Sequence, residues 1–84
     1  MAKYRKKPVV IEARELTADT LLEVAMWSNA KGQVLNDDAI EFIIPTYEGP
    51  IYAKLGDWII KDVHGDFYPV KPYTFAATYE AVDG

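Results

Sequence analysis

The spacing of hydrophobic positions changes once along this chain. Residues 8–14 begin with β-branched side chains and then alternate apolar with polar positions, which is typical of a half-buried strand. Residues 21–27 carry a broad apolar face with helical spacing. From residue 34 onward the period is two, which predicts strands at 34–35, 39–44, 51–55, 58–61, 67–70 and 78–82.

This pattern predicts an α+β fold in a single domain spanning residues 1–84. One N-terminal strand and one α-helix come first, followed by an antiparallel β-meander. The small curved sheet of the meander is expected to pack on the helix.

Local signals predict where the helix begins and ends. Either Thr17 or Thr20 can cap it, and Thr20 and Glu23 have the spacing of a capping box. Gly32 is the predicted stop.

Turn signals organise the second half of the chain. Asp57 follows Gly56, and we expect its side chain to bond nearby backbone N–H groups at the entry to strand 58–61. Residues 63–66 predict a hairpin turn. Residues 71–76 are expected to form a short turn of helix that places Phe75 in the core before a last strand.

Composition narrows the class of protein. The 84 residues include no cysteine, which excludes disulfides and thiolate metal sites and favours a reducing cytoplasm. The N-terminus lacks the apolar region of a secretory signal, and no apolar run approaches the roughly 20 residues that span a bilayer. We therefore expect a soluble intracellular protein without membrane contact. A domain this short must rely on packing or self-association, so a homo-oligomer is also expected.

The net charge of −4 is unevenly distributed. Lys3, Arg5, Lys6 and Lys7 supply four of the nine positive charges, whereas residues 8–84 hold five positive charges against thirteen acids, a net of −8. An acidic body argues against extended nucleic-acid binding, which needs a basic face. The basic segment is the one place where the sequence predicts attraction of an anion.

The titratable residues do not predict a catalytic or metal-binding site. His64 is the only histidine, and its neighbours Asp62 and Asp66 are what a turn uses. The acids lack the spacing of a calcium loop, and no nucleophile has an obvious base. We therefore predict no metal site, no cofactor and no enzymatic activity. A minor alternative, an enzyme acting on a phosphorylated small molecule, would require Asp57, His64 and Asp66 to converge on one cleft.

Two segments resemble a known family. The opening segment, KYRKKPVVIEA at 3–13, and the closing segment 55–80 are similar to small phage and prophage proteins with PGDYG-type domains. The closing segment carries LGDWII at 55–60, GDFYPVKP at 65–72, Phe75 and TYE at 78–80. Leu55 stands where that motif has Pro, and Trp58 where it has Tyr. The segments cover a little under half of the chain, and residues 14–54 resemble no family. The resemblance implies a virus-encoded accessory protein of the bacterial cytoplasm and brings no enzymatic activity.

Eleven aromatic residues exceed what a thin core readily hides, so several tyrosines are expected at half-exposed positions. If the first and last strands pair, the two signature regions would form a small basic patch lined by aromatics. Cations would then hold phosphate while Tyr68 or Trp58 stacks on a base. The alternative is a solvated edge strand whose lysines prevent aggregation. The candidate binding residues are Tyr4, Arg5, Lys6, Lys7, Trp58, Tyr68 and Lys71.

The sequence thus favours a non-enzymatic accessory protein that acts by binding in the host cytoplasm, in host takeover or against host defence. Its partner would be a host protein, such as a nucleic-acid-binding surface that an acidic body can occupy, or a nucleotide-like small molecule. The alternative from another class is a structural or assembly protein of the virion.

Overall fold

The computed structural model describes residues 2–4, 9–36, 39–46 and 48–82, and it describes residues 31–36, 39 and 40 by their backbone only. The α+β class is confirmed, as is the order of one N-terminal strand, a helix and then antiparallel strands. The elements are β1 (Glu12–Glu15), α1 (Leu21–Ser28), β2 (Lys31–Asn36), β3 (Ala39–Ile44), β4 (Ile51–Ala53), β5 (Trp58–Lys61), β6 (Phe67–Val70) and α2 (Pro72–Thr78).

The strands divide into two three-stranded antiparallel sheets, with the orders β1-β5-β6 and β2-β3-β4. The meander is therefore interrupted between β4 and β5. β1 pairs with β5 and occupies the side that β4 would need, because Leu16 N donates to Asp57 O at 2.8 Å and Gly56 N donates to Leu16 O at 2.7 Å. Gly56 has a φ of +99°, the left-handed region that favours glycine, and this turns the chain from one sheet to the next.

The core lies between α1 and the two sheets. Leu16, Val24, Phe42, Ile44 and Ile59 are each at most 1 % exposed and form one buried cluster. Burying side chains of this size stabilises the fold by roughly 1.5–3 kcal/mol each, so this small set carries most of the packing energy.

The first sheet has a helix against each face. Ile59 points into the core, where α1 packs, and Phe67 lies edge-on to Trp27 with 5.0 Å between the ring centroids. Ile60, which alternates with Ile59, is also fully buried but on the opposite face. Trp58 shares that face and stacks on Phe75 of α2.

The helix α1 begins after Thr20 as predicted, but the capping box does not form. The Thr20 hydroxyl accepts a hydrogen bond from Thr17 N at 2.9 Å and donates one to Glu15 O at 2.7 Å, while Glu23 pairs with Arg14 at 3.1 Å. The predicted stop at Gly32 is wrong. The helix ends at Ser28 because Asn29 adopts the left-handed conformation at φ 58°, and Gly32 lies within β2.

The strand boundaries at 39–44, 58–61 and 67–70 are confirmed, whereas three others differ. The first strand is shifted to Glu12–Glu15, the strand predicted at 34–35 extends over Lys31–Asn36, and β4 ends at Ala53. The predicted last strand at 78–82 is wrong, because α2 continues to Thr78 and residues 79–82 form no strand. Pro72 starts this helix at a favoured position, and β5 already holds the pairing site beside β1.

Neither helix, of eight and seven residues, is long enough to cross a bilayer, and the described residues hold no other helix.

Candidate binding grooves

A stack of three aromatic rings covers the outer face of the first sheet. Phe75 lies parallel to Trp58, with centroids 4.1 Å apart and planes inclined by 6°, and its other neighbour is Tyr79 at 5.1 Å and 26°. Phe75 and Tyr79 are four residues apart at the end of α2, where Tyr79 N donates to Phe75 O at 2.9 Å. Helical spacing therefore places the Tyr79 ring beside the Phe75 ring, which stacks on Trp58.

This stack lines an open groove of about 380 Å³, which we call the aromatic groove. Residues 9–11 and Ala13 line it on the β1 side, and residues 80–82 line it on the C-terminal side. Val10 is 75 % exposed and Val82 is 67 % exposed, so its borders are apolar and accessible. Glu80 is the only charged side chain among its lining residues. The described part of the groove thus suits an apolar or cationic group better than a phosphate.

Tyr68 lies on the same sheet face, opposite Ile60 in the β5–β6 ladder. Partial burial raises the pKa of its phenol to about 12, helped by a side-chain hydrogen bond with Tyr79 and by the negative charges of ionised Tyr79 and of Asp62. Its hydroxyl is therefore neutral at ordinary pH. The side chains of Tyr68 and Tyr79 lie next to one another, so the aromatic stack adjoins the β5–β6 hairpin.

A second groove, the acidic groove, lies on the other side of Tyr68 and has a volume of about 470 Å³. Its lining includes Glu48 from the β3–β4 turn and Asp62 and Asp66 from the β5–β6 hairpin. Asp62 Oδ1 accepts hydrogen bonds from His64 N at 2.9 Å and from Asp66 N at 3.0 Å, which confirms the hairpin turn. Three carboxylates around one groove favour a cationic occupant. The described side chains include no group of three or more His, Asp or Glu residues arranged to hold a metal ion.

Lys71 follows β6 and is the one candidate binding cation among the described residues. Its Nζ lies 3.6 Å from Oδ1 of Asp57, whose side chain is only 8 % exposed. Asp57 Oδ2 also accepts a hydrogen bond from Lys54 N at 3.0 Å, which confirms its predicted role in the turn. Because the Asp57 carboxylate lies beside the Lys71 ammonium, it offsets the positive charge that Lys71 would present to a phosphate.

The predicted binding residues are only partly brought together. Trp58 and Tyr68 share one sheet face, and Lys71 lies just past the strand that carries Tyr68. Tyr4 is 94 % exposed, and Arg5, Lys6 and Lys7 lie outside the described residues. The expected pairing of the first and last strands is wrong, although residues 9–11 and 80–82 do line one groove.

Sequence reasoning assigned Phe75 to the core and did not place Tyr79 in the site. The signal that could have found them is their i, i+4 spacing after Pro72, which puts two aromatic rings on one helical face.

The residues named for the enzymatic alternative do not share a cleft. Asp57 precedes β5, and His64 and Asp66 follow it in the hairpin turn. The strand between them spans roughly 10 Å.

Fold and grooves together define a small α+β domain with an aromatic and an acidic groove on either side of a tyrosine pair. No family model matches this chain, and no curated protein and no solved structure shows significant similarity to it. The resemblance to PGDYG-type phage proteins therefore stays a prediction.

Proposed function

We propose that this chain is a non-enzymatic accessory protein that captures a host protein in the bacterial cytoplasm. The supporting observation is the pair of grooves, an aromatic groove lined by Tyr79 and an acidic groove lined by Tyr68. The phage or prophage origin, the cytoplasmic location and a role in host takeover or anti-defence rest on the sequence resemblance alone.

The chemistry of the two grooves selects the kind of partner. The aromatic groove fits an aliphatic or aromatic anchor, since half-buried aromatics with apolar borders are typical of interfaces. The acidic groove fits a Lys or Arg side chain, because Glu48, Asp62 and Asp66 surround it. The net charge of −8 over residues 8–84 attracts the same partner at longer range. The partner is therefore a basic surface of the kind that binds nucleic acid.

A nucleotide-like ligand is supported less well by the described residues. Its phosphates would approach Glu80 in the aromatic groove, and Lys71, the described cation among the candidate binding residues, is paired with Asp57. Binding a phosphate there would cost part of that ion pair.

The test is affinity capture from infected bacterial cells with the wild-type chain and two matched variants. Val10→Asp adds a carboxylate on the border of the aromatic groove, whereas Val63→Asp makes the same change in the hairpin turn. Both positions are exposed, at 75 % and 63 %, and Val63 lines neither groove. We expect one host protein with a basic surface to be retained by the wild type and by Val63→Asp, and to be lost with Val10→Asp.

Two further measurements on the purified partner can refute the proposal. Binding of the purified partner should weaken steeply with added salt and should be displaced by duplex DNA. Equal capture by both variants would show that the aromatic groove does not hold the partner, and capture that ignores salt would show that the acidic groove does not.

The competing functions have their own readouts. Equilibrium dialysis with ATP and with a cyclic dinucleotide, repeated on a variant with Arg5, Lys6 and Lys7 all changed to Ala, would reveal nucleotide sequestration as binding that the triple variant loses. Mass spectrometry of purified virions would show abundant copies if the chain is an assembly protein. Either result would replace host-protein capture.

A further inference from the structure

β1 forms one edge of the first sheet, and within the described residues no strand pairs with its outer side. Leu16 N donates to Asp57 O in the β1–β5 ladder, so Glu12 and Arg14, which alternate with Leu16, also direct their N–H and C=O groups toward β5. Ala13 and Glu15 therefore direct theirs outward. An edge of this kind is a template for a further strand.

We propose that a second copy of this chain pairs with that edge, β1 against β1, in a twofold dimer in which Ala13 lies opposite Ala13. The result is a continuous six-stranded antiparallel sheet. This inference does not depend on the proposed function.

Charge selects the register among those that the hydrogen-bonding pattern allows. Within β1, antiparallel self-pairing that keeps the outward groups bonded can centre on any of the four residues. Centring on Glu12, Arg14 or Glu15 places like charges directly opposite one another, which destabilises a sheet. Centring on Ala13 places Glu12 of each copy opposite Arg14 of the other, so two oppositely charged pairs form.

The geometry of those two contacts is favourable. Glu12 and Arg14 would form pairs of the non-hydrogen-bonded kind, whose side chains lie closest together. Arg14 already contacts Glu23 at 3.1 Å and lies 4.6 Å from the centre of the Trp27 ring. Its guanidinium has five N–H donors, so it can bond a second carboxylate without leaving Glu23.

An exposed apolar surface adjoins the same edge. Leu22 and Met26, one helical turn apart on α1, are 74 % and 76 % exposed and line a shallow cleft with Arg14 and Trp27. Because Arg14 belongs to β1, pairing of two β1 strands brings the two clefts together beside the twofold axis. Leu22 and Met26 of each copy would then lose their contact with water.

Disulfide trapping tests the register directly, since the chain has no cysteine. In the proposed dimer the Cα atoms of the two Ala13 residues lie about 5.5 Å apart, which is within the range of a disulfide. We expect Ala13→Cys to form a covalent dimer under mild oxidation. Glu15→Cys is the matched control on the same edge, because its two copies would be about 13 Å apart or more along the strands. Equal cross-linking of both variants, or none, would overturn the register.

Charge complementation tests the pairing without cross-links. Sedimentation equilibrium should show a wild-type dimer, and Glu12→Arg and Arg14→Glu should each raise its dissociation constant by about tenfold or more. An equimolar mixture of the two variants should restore dimerisation, because both cross-strand pairs are then of opposite charge. Circular dichroism checks that each variant is folded. A monomeric wild type, or a dimer indifferent to both changes, would refute the proposal.

Discussion

Removing the Asp57 side chain should destabilise this domain more than any other single change at its polar positions. Its carboxylate is 8 % exposed, accepts a hydrogen bond from Lys54 N at 3.0 Å and lies 3.6 Å from Lys71 Nζ. Backbone groups of the same turn hold β1, since Asp57 O accepts from Leu16 N. The residue therefore joins the β4–β5 turn to the edge strand of the first sheet.

Three variants separate the two roles of this carboxylate. A hydrogen bond from a backbone N–H to a charged group contributes about 1.5–3 kcal/mol, whereas an ion pair with a half-exposed lysine contributes about 0.5 kcal/mol. We expect Asp57→Ala to lower the free energy of unfolding by about 3 kcal/mol. Asp57→Asn can still accept from Lys54 N and should cost about 1 kcal/mol, and Lys71→Met should cost about 0.5 kcal/mol.

Urea unfolding followed by tryptophan fluorescence and by circular dichroism measures these differences, since Trp27 and Trp58 lie on opposite faces of the first sheet. If the backbone hydrogen bond anchors the turn, the loss in free energy of unfolding should decrease from Asp57→Ala to Asp57→Asn to Lys71→Met. If Asp57→Asn costs as much as Asp57→Ala, or if Lys71→Met matches either, the ion pair and not the backbone hydrogen bond is what stabilises the turn.

Three further outcomes follow from the described contacts. The folded-state pKa of Tyr68 is raised from 10.0 to about 12, so its stabilising effect is complete below about pH 10 and is lost as the pH rises toward 12; urea unfolding across alkaline pH should show a shallower fall in stability for Tyr68→Phe than for the wild type. Phe75→Ala should cost about 2 kcal/mol and shift the Trp58 emission to longer wavelength, because it removes the ring stacked on that indole; an unshifted spectrum would contradict the stack. Asn29→Ala should cost about 1 kcal/mol while Asn29→Gly costs nothing, since position 29 is left-handed; equal thermal midpoints for the two would contradict this cap.

The sequence identifies several residues of the candidate site but predicts little of how they are arranged. Trp58 and Tyr68 were selected, and strand periodicity places them on one face. Lys71 was selected as a cation, but its pairing with Asp57 depends on a contact across a turn that no spacing rule predicts. The sequence pattern assigns Phe75 to the core and Tyr79 to a last strand, and only the continuation of α2 to Thr78 brings Phe75 onto Trp58 and Tyr79 beside Phe75.

By itself the sequence determined the α+β class, the strands at 39–44, 58–61 and 67–70, and the turns at Asp57 and at residues 63–66, because each rests on neighbours within a few positions. Only the tertiary structure decided that β1 pairs with β5, that the strands form two sheets, and that residues 72–78 continue as a helix in place of a last strand. Strand pairing joins residues more than forty positions apart, and its energy comes from burial on both sides of the sheet. A local pattern records that a side chain is apolar, but the partner that buries it is set by how the whole chain packs.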